Sequence, residues 1–309
     1  MLYVDAARVA GLLAFDRLIP ALREAFLAGA TVPLRHTHKV GSGGRSGTSL
    51  LMPAWDDEGF YGVKIVNIYP GNRAEGLPGL HSTYVLHDAR TGAPLALLDG
   101  DVITSRRTAA AAALGAHYLA RTDASALLVV GAGRVGSLVA PAMATVRKLT
   151  QISIWDIDAD AAGRCAQALR AQGFAARAVR DLDAATRSVD IVSCATLAET
   201  PLIHAEWLQP GSHLDLIGSF TPAMTEAMPA CFANARVWVD TAEAPAKSGD
   251  LLNAVESGKL ALSEIVGDLT GLSAGTCPSR TDDHQRTVFK AVGTALEDLA
   301  AAKLAYKQL

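Results

Sequence analysis

Gly131, Gly133 and Gly136 stand in the spacing G-x-G-x-x-G, behind an apolar run at 127–130 and ahead of a helix of small residues. A second apolar run at 152–155 follows and ends on Asp156. Each part has a chemical use. Gly131 permits a tight strand-to-helix turn, Gly133 lets backbone approach a pyrophosphate, and Gly136 lets the helix pack closely on its strand. Phosphates then meet free N–H groups at a helix N-terminus. Asp156, about twenty residues past the last glycine, can accept hydrogen bonds from a ribose diol. The bland alternative is a glycine turn in an α/β domain without a ligand. The two flanking strands and the acid favour a nicotinamide dinucleotide.

Three cations stand where a substrate would need them. Arg35 follows Val32-Pro33-Leu34, Lys64 lies inside the apolar segment 61–66, and Arg107 sits in Thr104-Ser-Arg-Arg-Thr-Ala-Ala110. A lysine flanked by valine and isoleucine either snorkels outward or points into a polar site; the site reading is preferred here. Arg107 is read as opening a helix, where its charge opposes the dipole and suggests an anion to bind. His36-x-His38 has the spacing of one strand face but no third ligand, so no metal is expected. The four cysteines, Cys165, Cys194, Cys231 and Cys277, lack CxxC spacing and read as reduced structural thiols of a cytoplasmic protein.

These residues need elements to hold them. From 127 onward, short apolar strand candidates at 127–130, 152–155, 175–179, 190–194, 213–217 and 237–240 alternate with helical stretches, predicting an α/β, doubly wound parallel sheet. The earlier part differs. A helix near 15–28 precedes strand candidates at 50–53, 61–66, 82–87 and 95–98, an α+β arrangement expected to form a separate domain. The glycine-rich 41–47 reads as a flexible loop or, more blandly, as an exposed hairpin. An alanine-rich helix at 104–121 joins the halves, and a terminal helix at about 288–307 is expected to return to the first.

The 309 residues, half of them hydrophobic and 19% charged, suffice for two domains with sizeable cores. A net charge of −3 gives no reason to expect nucleic acid. The apolar stretch around the glycine motif is interrupted by Arg134 and is not read as a membrane span, and the first apolar residues are broken by charges, unlike a signal peptide.

Taken in order, Met52-Pro53, Gly62-Val-Lys64, Pro70-Gly-Asn72, Asp88-x-x-Thr-Gly92, Thr104-x-x-Arg107-Thr-Ala-Ala110, the glycine motif, Cys194-Ala-Thr196, Gly211-Ser-His213, Gly249-Asp-Leu251 and Phe289-Lys290-x-Val-Gly-Thr-Ala295 resemble the ornithine cyclodeaminase/mu-crystallin family over nearly the whole chain. The resemblance implies a Rossmann-type domain at about 107–287. It would be inserted in an α+β substrate-binding and dimerisation domain made of 1–106 and about 288–309. It also implies a homodimer acting on a small α-amino or α-imino acid. It places Arg35, Lys64 and Arg107 as substrate-site cations. Thr83, Gly131, Gly133, Arg134, Val135, Gly136, Asp156, Ile157, Thr196, Ile217, Gly218 and Ser219 fall around the dinucleotide.

One departure discriminates among activities. Ornithine cyclodeaminases carry Gly-x-Asp-x-x-Gly-Lys where this chain reads Gly218-Ser-Phe220-Thr-Pro-Ala-Met224. A phenyl ring cannot move a proton, so elimination of ammonia is disfavoured and reduction of a preformed cyclic imine remains. The expected substrate is Δ1-pyrroline-2-carboxylate, giving L-proline, or Δ1-piperideine-2-carboxylate, giving L-pipecolate. Lys64 is the candidate proton donor, Arg107 and Arg35 would hold the carboxylate, and Phe220 would pack on the ring. The alternatives are an alanine dehydrogenase-like or ornithine cyclodeaminase activity, and a non-catalytic ligand-binding protein like mu-crystallin. Asp156-Ile157-Asp158 offers a carboxylate and no cation at the second strand's end, which favours NADH and leaves NADPH open.

Overall fold

The computed structural model describes residues 1–309, except the side chain of Arg73. The chain divides into two compact units, Met1–Arg107 with Thr294–Leu309, and Thr108–Gly293. The second junction lies at 293–294, a few residues past the expected 288.

In the first unit, strand β1 (Leu2–Val4) and helices α1 (Ala6–Leu12) and α2 (Phe15–Ala28) precede five further strands. These are β2 (His36–Ser42), β3 (Arg45–Trp55), β4 (Phe60–Ile68), β5 (Leu80–Asp88) and β6 (Pro94–Asp99). They form a sheet in the order β1-β6-β5-β4-β3-β2, antiparallel except for β1 beside β6. Burial alternates with the pleat, and one face carries Met52 and Ala54, Gly62, Lys64 and Val66, Tyr84 and Leu86, then Ala96 and Leu98. Lys64 stands directly between Met52 and Tyr84 in the register. The last helix, α10 (Ala295–Tyr306), packs on α2 and on β3, β4 and β5. Its run of alanines is buried and lets it approach the sheet closely. The 41–47 segment forms the exposed hairpin, with Ser42 paired to Arg45. Strand β2 was not anticipated because all seven of its residues are exposed and show no alternation to read.

Helix α3 (Gly100–Leu119) begins four residues before the expected start at 104. The Asp99 carboxylate accepts the Val102 N–H at 2.8 Å and caps it. Arg107 is therefore two turns inside the helix, and the dipole argument for it does not apply.

In the second unit the chain runs through β7 (Ala126–Val130), α4 (Gly136–Met143), β8 (Gln151–Trp155), α5 (Ala159–Ala171), β9 (Ala176–Ala178), α6 (Leu182–Thr186), β10 (Ile191–Cys194) and β11 (His213–Leu216). It continues through β12 (Arg236–Val239), α7 (Ala244–Lys247), α8 (Gly249–Glu256), β13 (Ile265–Asp268), α9 (Leu269–Ala274) and β14 (Thr287–Lys290). All eight strands are parallel, in the order β13-β12-β14-β11-β10-β7-β8-β9. The strand order reverses between β7 and β10, and ligands of such sheets bind outside the carboxyl ends of the strands at that reversal. The core gathers Leu128, Val130, Val192, Leu214, Leu216, Val237 and Val288. Strand β14 corrects the expected helix start at about 288. Its four residues are buried on both faces, so no periodicity separates a strand from a buried helix there. No helix of the described residues is long and apolar enough to cross a membrane.

Candidate active site

Within the first unit, the pleat turns Lys64 inward and leaves it 1% exposed. Its Nζ forms an ion pair with Asp298 Oδ2 at 2.6 Å. The other oxygen, Oδ1, accepts from Arg107 Nε at 2.9 Å, and Arg107 Nη1 donates to Glu297 Oε2 at 2.7 Å. All four side chains are buried. Two cations and two anions balance, which a buried cluster requires, since an unpaired charge at such depth is costly. Burial pushes the Lys64 ammonium down to about 8, with Arg107 adding to the effect and Asp298 opposing it. Burial also works against the Asp298 carboxylate, but Lys64 and Arg107 together hold it below the usual range. For Arg107 the two acids outweigh burial and keep the guanidinium charged. Its Nη2 enters neither pair. The cluster thus combines a lysine that burial lowers to about 8 with a fixed cation suited to a carboxylate.

Arg35 is half-buried in the segment just ahead of β2, and Thr83 is half-buried on β5 opposite Ile65 and Asp99. Both belong to the first unit. The sequence reading missed Glu297 and Asp298. A signal existed: two adjacent acids followed directly by Leu299-Ala-Ala-Ala302, in a helix whose other residues are alanine and leucine except Lys303 and Tyr306, have little polar face to occupy and must find buried partners.

In the second unit, β7 delivers the chain into the glycine turn. Gly131 adopts φ 103°, and a side chain there would also strike the Ala195 carbonyl. A methyl on Gly136 would lie 1.8 Å from the Gly131 oxygen, so the close approach belongs to the turn itself. A methyl added at Gly133 would meet nothing within 4 Å, which leaves an open cradle just ahead of α4. Arg134 is exposed and Val135 half-buried beside it. Asp156, at the end of β8, accepts the Ala132 N–H at 2.6 Å and the Asp158 N–H at 2.9 Å, so its carboxylate also fixes the turn. Ile157 is 91% exposed next to it.

The loops after β10 and β11 carry the remaining residues. Thr196 donates through N–H and Oγ1 to Glu226 Oε1 at 2.7 and 2.9 Å, and Gly218 N–H donates to Glu226 Oε2 at 2.6 Å. Ile217 is buried. The Ser219 hydroxyl is turned inward, donating to the Met224 carbonyl and accepting the Asp250 N–H at 3.0 Å. Phe220 is 38% exposed. Cys194 ends β10 fully buried, and burial pushes its thiol far up, which leaves it inert as a nucleophile. All four cysteines are free. Among the described residues, no three His, Cys, Asp or Glu side chains gather to hold a metal ion. Glu226 also escaped the sequence reading, because a lone acid in Met224-Thr-Glu-Ala-Met carries no pattern.

The open cradle at Gly133, the α4 N-terminus and the acid at the end of β8 fit a dinucleotide. The profile of the ornithine cyclodeaminase/mu-crystallin family matches residues 2–309. Δ1-Pyrroline-2-carboxylate reductase of Paracoccus denitrificans is 35% identical over 302 residues, covering 97% of this chain and 93% of that protein. The Thermococcus litoralis Δ1-pyrroline-2-carboxylate reductase, solved with NADH and L-proline, superposes with a TM-score of 0.94 at 31% identity, covering 100% of this chain and 97% of that one. An archaeal alanine dehydrogenase dimer with bound NAD gives a TM-score of 0.91 at 28% identity, over 99% and 95% of the two chains.

Proposed function

The chain belongs to the ornithine cyclodeaminase/mu-crystallin family, and from that premise we propose that it reduces a cyclic ketimine acid at the expense of NADH. Δ1-Pyrroline-2-carboxylate, yielding L-proline, is the preferred substrate, and the six-membered homologue is a second. The observation that carries this reading is the buried set Lys64, Asp298, Arg107 and Glu297. It pairs a proton-holding lysine with a carboxylate-binding arginine.

NADH supplies the hydride when bound. Gly131, Gly133, Arg134, Val135 and Gly136 would hold its pyrophosphate, Asp156 and Ile157 its adenosine ribose, and Thr196 with Ile217, Gly218 and Ser219 its other half; Thr83 is carried over from the family alone. Arg107, helped by Arg35, binds the substrate carboxylate through charge-assisted hydrogen bonds. Lys64 gives its proton to the imine nitrogen, and the carbon–nitrogen double bond becomes the single bond of the ring amine. Asp298 holds Lys64 in place and stabilises its charged form. Phe220 stands where relatives that expel ammonia carry an aspartate, so the chain lacks the acid that ring-closing elimination requires. Its ring would pack on the substrate methylenes. The carboxylate of Asp156 disfavours a 2′-phosphate, which supports NADH over NADPH. A homodimer is expected, as in the alanine dehydrogenase relative, and the cytoplasm is the expected location.

The test follows loss of nicotinamide absorbance on adding Δ1-pyrroline-2-carboxylate with NADH or NADPH, and identifies the product. Rapid oxidation of NADH giving L-proline is expected. No oxidation with either cofactor sinks the reading. Faster turnover of pyruvate with ammonia would transfer it to an alanine dehydrogenase.

A further inference from the structure

Glu226 lies at the carboxyl edge of the parallel sheet, where the proposed mechanism gives it no task. It is fully buried, and its two oxygens face two different loops. Oε1 takes both donors of Thr196, after β10, while Oε2 takes the Gly218 N–H, after β11. The backbone beneath it is rigidly held. Asp250 Oδ1 accepts the N–H groups of Glu226 and Ala227 at 2.7 and 3.1 Å and the Thr225 hydroxyl at 3.0 Å. Lys290 Nζ stands 3.4 Å from the other Asp250 oxygen. Gly218 matches the carboxylate, since a methyl there would lie 2.1 Å from the Thr196 oxygen and 2.4 Å from Glu226 Oε1. The two loops are therefore drawn together onto one carboxylate.

Their place in the sheet says what that spacing serves. In a doubly wound sheet the pyrophosphate sits at the first glycine turn and the adenosine at the end of the next strand outward. Here those are β7 and β8, so the nicotinamide half falls across the reversal, over the ends of β10 and β11. We infer that Glu226 is a positioning residue for the nicotinamide half of the cofactor, setting the separation of the loops after β10 and β11 through its bridge between Thr196 and Gly218. The inference rests on the dinucleotide reading but not on the identity of the imine.

Glu226→Gln puts an NH2 group against either Gly218 N–H or the Thr196 donors, so one loop must move. Glu226→Asp keeps the charge but shortens the arm by one methylene and cannot span both loops. NADH affinity of the whole protein is measured by fluorescence titration without substrate, and ADP-ribose, which lacks the nicotinamide, by competition. Both variants are expected to bind NADH about tenfold more weakly while ADP-ribose stays within about twofold of wild type, the loss of one charge-assisted bond. A mere support of the fold would weaken both ligands alike, and that result overturns the inference. NADH affinity unchanged in both variants overturns it too. If Glu226→Gln does not fold, Glu226→Asp alone is judged by the same criterion. Failure of the wild-type protein to bind either ligand would instead refute the dinucleotide reading, and the inference with it.

Discussion

Lys64 gives turnover a pH dependence that can be predicted in sign. With its ammonium pushed down to about 8, the proton-donating form dominates below that pH and is lost above it. Turnover per bound substrate should be level on the acid side and fall about tenfold per pH unit well above 8. Asp298→Asn removes the anion that favours the charged lysine, so the fall should begin at lower pH; an unmoved limb would refute the pairing as the control of this proton. Lys64→Met should lower kcat by about a hundredfold or more with a smaller change in substrate KM. Intact turnover would mean that another group gives the proton. Asp215 makes a separate, thermodynamic prediction. Burial raises this fully buried acid to about 7, against the opposing Ser193 hydrogen bond. An acid whose folded value is raised contributes stability that is full below its unfolded pKa and lost as the pH climbs through 7. Asp215→Asn should therefore melt at least about 3 °C above wild type at pH 8 by calorimetry. The gain should shrink as the pH is lowered and vanish only at about pH 4, where the unfolded carboxylate is itself protonated. The cations of the first unit were legible in the sequence because a charge inside an apolar run is conspicuous. Their partners Glu297 and Asp298 were not, being some two hundred residues away along the chain.

The glycine turn separates two element-scale effects that a motif alone confounds. Gly136 is needed for the turn to close, since its methyl would meet the Gly131 oxygen, whereas Gly133 faces open space. Gly136→Ala should lower the melting temperature by several degrees. Gly133→Ala should leave it within about 1 °C yet weaken NADH about tenfold, by filling the cradle without opening a cavity in the core. Equal effects of the two on melting would contradict the geometry. Strands β3 to β12 were readable, at least in part, as apolar or alternating runs bounded by turn residues. β1, β2, β13 and β14 were not. β14 is buried on both faces and merges with the apolar stretch before α10, and β2 is exposed on both and held by its ladder to β3. The start of α3 was misplaced because Asp99-Gly100-Asp101 looks like a turn, while Asp99 is in fact its cap.

At the scale of the molecule, the first unit is assembled from both ends of the chain. Helix α10 brings more than apolar area to its sheet: Glu297 and Asp298 are the counter-ions of Arg107 and Lys64. A chain ending at Gly293 would strip Lys64 and Arg107 of both counter-ions and open to water the sheet face that α10 covers. It should show no cooperative melting of the first unit by circular dichroism; a transition like that of the full chain would mean that the ion cluster is dispensable. What the sequence determined by itself was local: the glycine turn and its acid, the apolar runs of a parallel sheet, the lysine set inside a strand, and the phenylalanine in place of an acid. Those signals survive because backbone geometry and strand burial act over a few neighbouring residues. The tertiary structure alone decided which groups share a proton or a loop. Asp298 between Lys64 and Arg107, and Glu226 between Thr196 and Gly218, are contacts between segments distant in sequence, and burial, which sets their electrostatics, exists only once the chain has folded.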